Sequence, residues 1–275
     1  AAMNFYWKVY RCKMCKDCGC SGHHHEHSHH HIHGDHHGQA HSHTRPDGTV
    51  FTHTHSESEN REIAIGSAIL SANDRIASEN RGWFRARKVV ALNMISSPGS
   101  GKTTLLVKTL QKLAERNIKA AVIVGDQYGD IDAERMRVTG CPVTQIETHS
   151  SCHLDAARVQ AVLESAVPEG TEIVFIENVG NLVCPVAFDL GENAKIALLS
   201  TPEGEEKQLK YPALFAAAEL VLITKCDLEN ALEWDYQTSV KNIKQINQNV
   251  LVQRVSAKTE EGLEDWIKFL EKKIM

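Results

Sequence analysis

The chain has 275 residues, room for one large α/β domain plus an appendage, and its 42% hydrophobic and 24% charged content is that of an ordinary folded protein. A net charge of −5 lacks the basic footprint of a nucleic-acid binder, and no apolar run approaches the ~18 residues of a membrane span. Nucleic acid and membrane are therefore excluded as partners, and a cytoplasmic location is the default. The abnormality is one of distribution: 14 of the 16 histidines fall between His23 and His55, and 4 of the 8 cysteines between Cys12 and Cys20. Such crowding points to metal rather than to disulfides.

Residues 1–59 carry almost no apolar periodicity and read as a flexible Cys/His-rich metal-binding extension. Within it, Cys15-Lys16-Asp17-Cys18-Gly19-Cys20 packs three soft thiol ligands into one turn's length, suited to Ni²⁺, Zn²⁺ or Cu⁺. A closed zinc site would call for a second ligand pair farther along, which this segment lacks. The His23–His55 region follows as a run of imidazoles broken by Ser, Gly and Glu, a high-capacity, low-selectivity reservoir for Ni, Cu and Zn; a purification tag would be uninterrupted.

Residues 60–87 read as a lead-in helix and linker, with Ile63, Ile65, Ile69, Leu70 and Ile76 at mainly helical spacing between Glu62 and Asn80. Residues 88–275 change pattern. Short β-branched runs (Val89–Ile95, Ala120–Val124, Val143–Ile146, Ile173–Ile176, Ile196–Leu199, Leu220–Ile223, Val250–Val255) alternate with amphipathic stretches such as Thr104–Arg116, Leu154–Ala166 and Leu263–Lys273. This predicts an α/β fold with a doubly wound, mostly parallel sheet covered on both faces.

The first run leads into Ser97-Pro98-Gly99-Ser100-Gly101-Lys102-Thr103, a P-loop in the strand-to-helix context that makes the match meaningful. Backbone amides of Gly99, Ser100, Gly101, Lys102, Thr103 and Thr104 are candidates for the phosphate cradle. Lys102 would reach the β- and γ-phosphates, and the Thr103 hydroxyl would ligate Mg²⁺. Ser96 stands where the first glycine is expected.

Thr224-Lys225-Cys226-Asp227 and Ser256-Ala257-Lys258 each end a predicted strand. A carboxylate at Asp227 suits the adjacent N1–H and 2-amino donors of guanine, so Lys225, Asp227, Ser256, Ala257 and Lys258 predict GTP rather than ATP. Asp126 and Glu177 end two other strands and are assigned to Mg²⁺ and catalysis with Lys102; Asp126, Asp130 and Asp132 all remain candidates for orienting water. A further cluster, Cys152-His153 and Cys184, would share one Ni²⁺ or Zn²⁺ ion if both loops lie at the carboxyl edge of the sheet. Residue type alone favours small core fillers and a cap residue there. Cys141 and Cys226 read as structural.

These residues resemble the hydrogenase nickel-incorporation GTPase family, HypB, of the SIMIBI class of P-loop GTPases. The likeness runs from Met14 to the C-terminus. Its marks are Met14-Cys15-Lys16-Asp17-Cys18-Gly19-Cys20, Ser96 through Thr104, Cys152-His153-Leu154-Asp155-Ala156, Glu177 through Pro185, and Leu209-Lys210-Tyr211-Pro212. The resemblance implies a GTP hydrolase that forms a nucleotide-dependent homodimer. It also implies nickel on Cys152, His153 and Cys184, and a tighter nickel site at the N-terminal thiols. A partner nickel metallochaperone and the [NiFe]-hydrogenase large subunit are the implied partners. In the family the cysteine motif stands at the N-terminus, where the terminal amine is a candidate fourth ligand; here 13 residues precede Met14. Two alternatives stand beside it: a urease accessory GTPase, expected to carry a Cys-Pro-His motif that Cys152-His153 lacks, and a nickel-storage protein with a vestigial nucleotide site.

Overall fold

The computed structural model describes residues 40–44, 50–54, 57–126, 130–149 and 151–275. It divides into two compact units, one ending at Ser71 and one running from Ala72 to Met275. In the first, β1 (Ala40–Thr44) pairs antiparallel with β2 (Val50–Thr54), with His41 opposite His53. Val50, Phe51, Thr52 and Thr54 are good strand formers, and Pro46-Asp47-Gly48 is a turn signal between the two runs. Cys15, Cys18, Cys20 and the side chains of the His23–His55 region lie outside what is described.

Helix α1 (Glu57–Arg87) is longer than the Glu62–Asn80 periodicity predicts, and the stretch expected to be a linker is helical. The helix continues because Phe84, 1% exposed, is buried with Val89 and Ala91 in the core. Arg85 and Arg87 in its last turn complement the dipole, and Lys88 at φ 58° breaks it.

The second unit is built on seven parallel strands: β3 (Val90–Ser96), β4 (Ala120–Asp126), β5 (Val143–Glu147), β6 (Ile173–Glu177), β7 (Ala194–Ser200), β8 (Leu220–Thr224) and β9 (Leu251–Val255). Their order is β5-β4-β6-β3-β7-β8-β9, with β3 between β6 and β7. The near-continuous apolar runs follow from two covered faces. Leu92 and Met94 of β3, Phe175 of β6 and Leu222 of β8 share a core with α2 (Lys102–Glu115) and α9 (Leu263–Ile274). Their neighbours point the other way. Ala91, Val174 and Ile176 meet Phe84 and α4 (Ala156–Ala166), while Ile95, Val221 and Ile223 join the core around Leu214, Phe215 and Ile243.

Shorter helices complete the connections: α3 (Ile131–Arg137), α5 (Cys184–Ala187), α6 (Lys207–Lys210) and α7 (Pro212–Ala217), with α8 (Tyr236–Ile246) preceding β9. Because all seven strands run the same way, the segments after β3, β4, β5, β6, β8 and β9 emerge at one edge. That edge carries the P-loop, Asp126, Cys152-His153, Glu177 to Cys184, Thr224 to Asp227 and Ser256 to Lys258. Among the described residues, no helix is long and apolar enough to cross a membrane.

Candidate functional site

The loop from Ser97 to Gly101 links β3 directly to α2. Gly99 (φ 73°) and Gly101 (φ 90°) occupy backbone conformations that a Cβ would strain, so the two glycines permit the loop's curl. The loop delivers the unpaired amides of α2's first turn to one point. Ser96, the departure from the usual motif, is fully buried; its hydroxyl accepts from Ser100 Oγ at 2.7 Å and from Lys102 Nζ at 3.4 Å. The serine thus holds the lysine in place through a contact that glycine could not make.

Glu177 ends β6 beside this loop. Thr103 Oγ1 donates to Glu177 Oε1 at 2.7 Å, and Lys102 Nζ lies 3.6 Å from the same oxygen. Glu177 is 3% exposed, and its Oε2 is buried without a hydrogen-bond partner. Burial pushes the carboxyl above the usual carboxylate range; Lys102 and Thr103 oppose that shift and the Asp132 charge adds to it. A hard oxygen donor with one unsatisfied oxygen beside a hydroxyl fits a Mg²⁺ ion.

Asp126 ends β4, next to β6, two residues beyond the position level with Glu177, and its carbonyl accepts from Thr148 N at 2.8 Å. Of the two acidic residues that follow, Asp130 is ion-paired to Arg137 at 2.5 Å. Asp132, which lies 3.5 Å from Arg135, is the one whose charge reaches Glu177. Sequence reasoning passed over Arg135, which donates to Thr104 Oγ1 at 3.1 Å; a helix too short to show periodicity carries it.

A cavity of about 350 Å³ opens on the other side of the P-loop. It is lined by Ser100, Gly101, Thr104, Leu105, Thr224, Lys225, Asp227, Leu228, Val255, Ser256, Ala257 and Lys258. The loops after β3, β8 and β9 therefore share one cavity. They are tied together: Thr224 Oγ1 donates to Ser100 O at 2.6 Å, and Lys225 Nζ to Gly99 O at 2.7 Å. Ser256 Oγ donates to Asp227 Oδ1 at 2.6 Å and accepts from Lys258 N and Thr259 N at 3.2 and 3.1 Å. Lys225 sits at φ 57°, a strained geometry that the bond to Gly99 helps to hold. Thr224, which opens the motif, and Leu228, which follows it directly, also line the cavity.

The internal Cys/His cluster does come together. The ligand atoms of Cys152, His153 and Cys184 all lie within 4.8 Å of one another, with Cys152 Sγ 3.7 Å from His153 Nδ1. Ligands bound at ~2.3 Å around one ion stand ~3.8 Å apart if tetrahedral and ~4.6 Å apart across a square plane, so the set is spaced for a shared metal. His153 is 6% exposed and stacks on Phe188, ring centroids 3.8 Å apart. No local pattern advertised Phe188, 35 positions from its partner.

Asn178, inside the stretch from Glu177 to Pro185, is the joint of this region. Its Oδ1 accepts from Leu154 N at 3.2 Å and Val179 N at 3.0 Å; its Nδ2 donates to Asn93 Oδ1 on β3 at 3.2 Å. Cys141 and Cys226 are not part of this ligand group, and burial pushes their thiols up to about 12 and about 11.

Residues 90–253 match the model of the CobW/HypB/UreG nucleotide-binding domain. The chain is 47% identical over 225 residues to the hydrogenase maturation factor HypB of Azotobacter chroococcum mcd 1, covering 82% of this chain and 73% of that one. The crystal structure of HypB from Archaeoglobus fulgidus superposes with a TM-score of 0.70 at 35% identity, covering 74% of this chain and all of that one. HypB from Helicobacter pylori in complex with nickel gives 0.69 at 35% identity, covering 74% and 95%. The chain therefore belongs to the CobW/HypB/UreG family of nucleotide-binding proteins, and within it to the HypB hydrogenase maturation factors.

Proposed function

We propose that this protein is a GTP-hydrolysing nickel metallochaperone that hands Ni²⁺ to the large subunit of a [NiFe]-hydrogenase, working as a cytoplasmic homodimer with a partner nickel metallochaperone. One observation carries the reading. The segment that begins at Glu177, bonded to Thr103 of the P-loop, ends seven residues later at Cys184, whose thiol joins Cys152 and His153. Nucleotide state and metal site thus lie on one short stretch of chain.

In this reading the amides of Gly99 to Thr104 and the Lys102 ammonium hold the β- and γ-phosphates. Asp227 accepts from guanine, oriented by Ser256, while Lys225, Ala257 and Lys258 wall the base. Thr103, Glu177 and Asp126 would hold Mg²⁺, which when bound neutralises charge on the phosphate oxygens. The residues' own contribution is positioning and charge stabilisation: Lys102 faces the charge that builds up, and an acidic side chain after β4 orients water.

Nickel is the cargo, held by Cys152, His153 and Cys184, with zinc as a competitor for the same thiolates. Cys15, Cys18 and Cys20 form a separate nickel site, and the His23–His55 region a reservoir. The urease and storage alternatives gain no specific support from the site.

Titrating Ni²⁺ into the protein with GDP and with a non-hydrolysable GTP analogue tests the coupling. The affinities should differ by about 5- to 150-fold, and by linkage nickel should alter GTP affinity by the same factor. Equal nickel affinities together with equal dimer populations would sink it.

A further inference from the structure

The two segments that carry the internal thiols are bolted to the same face of α1. Asn73 and Asn80 stand seven residues apart, two helical turns, and so project from one side of the helix. Asn73 Oδ1 accepts from Ala156 N at 2.9 Å, and its Nδ2 donates to Asp189 O at 2.8 Å. Asn80 Nδ2 donates to Ala156 O at 2.9 Å and to Leu190 O at 3.1 Å. Each asparagine therefore spans both segments at once.

Ala156 comes three residues after His153, and Asp189 five after Cys184. The intervening chain has little slack, since Phe188, next to Asp189, stacks on the His153 ring. The approach is close on the helix side as well: a Cβ at Gly191 would stand 2.6 Å from Ala77 O. Asn73 and Asn80 are 6% and 0% exposed, so water does not compete for these bonds.

We infer that Asn73 and Asn80 are positioning residues that make α1 the gauge of the metal site, setting the separation of Cys184 from Cys152 and His153. This rests on the reading of those three residues as a nickel site. The helix that leads in from the Cys/His-rich segment is then part of the machinery that shapes the internal site. Displacing α1 would spread the ligands without touching any of them.

The test uses the full chain with Cys12, Cys15, Cys18 and Cys20 replaced by Ser, so that thiolate-to-cobalt charge transfer reports the internal thiols. Co²⁺ is titrated into this parent and into Asn73→Ala, Asn80→Ala and Ile267→Val, the last loosening the core at α9 without touching α1 or the clamp. Binding of a fluorescent GDP analogue certifies the fold. The expected result is cobalt affinity weaker by roughly 10- to 100-fold in the asparagine variants, with an altered charge-transfer band and nucleotide affinity unchanged. Ile267→Val should keep the parent's band and affinity. If Asn80→Ala does not bind the GDP analogue, Asn73→Ala alone decides. An unchanged band and affinity in a folded asparagine variant, or an equal loss in Ile267→Val, overturns the inference. A parent with no thiolate band sinks the metal-site reading itself, and the clamp with it.

Discussion

Gly180 approaches Pro98 so closely that a Cβ at position 180 would stand 3.0 Å from the proline's Cα, Cγ and nitrogen. The phosphate loop and the segment between Glu177 and Cys184 therefore touch through the rigid proline ring and backbone, with no flexible side chain to absorb a shift. Gly180→Ala should push the two apart at a cost of about 1–3 kcal/mol in stability. GTP turnover should fall about tenfold to a hundredfold from the misplacement, and nickel affinity should lose its dependence on nucleotide. Single-turnover hydrolysis and nickel titration check this; normal turnover with normal coupling would show that the contact transmits nothing.

Asp227 lines the cavity beside the P-loop while one of its oxygens accepts from Ser256. Asp227→Asn replaces a double acceptor with one acceptor and one donor. Guanine then faces a donor with its own 2-amino group, and GTP affinity should drop by about 10²-fold or more, from the loss of charge-assisted bonds worth about 1.5–3 kcal/mol each. Xanthosine triphosphate, with a 2-oxo group, should bind better than GTP. Nickel binding to residues 15–55 should be intact. Competition binding with the two nucleotides settles the point.

Glu177 is held above the usual carboxylate range chiefly by burial. In the unfolded chain it ionises at the ordinary value, so from there upward the folded state keeps a proton that the unfolded state has released. Stability of the nucleotide-free protein attributable to this group is therefore present at acid pH and declines as pH rises through the carboxylate range and above. Glu177→Gln should flatten that decline, while Mg²⁺-dependent hydrolysis collapses. Melting curves across pH 4–8 with Mg²⁺ titrations measure both; a variant whose stability falls with pH as steeply as the parent's contradicts the assignment.

Cys141 and Cys226, with thiols pushed up to about 12 and about 11 by burial, are fully protonated at pH 8. In a chain whose Cys12, Cys15, Cys18 and Cys20 are replaced, alkylation at pH 8 should fall first on Cys152, which is partly exposed where Cys184 is buried. Stoichiometric nickel should protect it. Peptide mapping after timed iodoacetamide treatment reads this out, and preferential labelling of Cys141 or Cys226 would contradict the burial argument.

The parallel sheet was legible because strands covered on both faces must be apolar almost throughout, and Ile173–Ile176 or Leu220–Ile223 can hardly be anything else. Strand positions came within a residue or two, as with Val89–Ile95 for Val90–Ser96. Elements that rely on neighbours were not legible. Helix α3 is too short to show a period, and α1 outruns its predicted end because Phe84 finds a core built from β3 and α4. The β1–β2 pair hides in a run whose composition is dominated by histidine.

The nucleotide site was written locally. A P-loop, a Thr-Lys-x-Asp and a Ser-Ala-Lys each define their own geometry at a strand end, and a parallel sheet delivers all strand ends to one edge whatever the details. Cys152, His153 and Cys184 are different in kind. By residue type they were as good core fillers as ligands, and nothing within a window of either segment says that the two meet. That depends on β4 lying between β5 and β6, on Asn178 joining Leu154 to Val179, and on Asn73 and Asn80 reaching across from α1. Local order along the chain was enough to declare a nucleotide-binding domain. Only the packing of distant segments decided that its thiols share one place, because a ligand set drawn from two loops exists only once the elements holding them apart and together have folded.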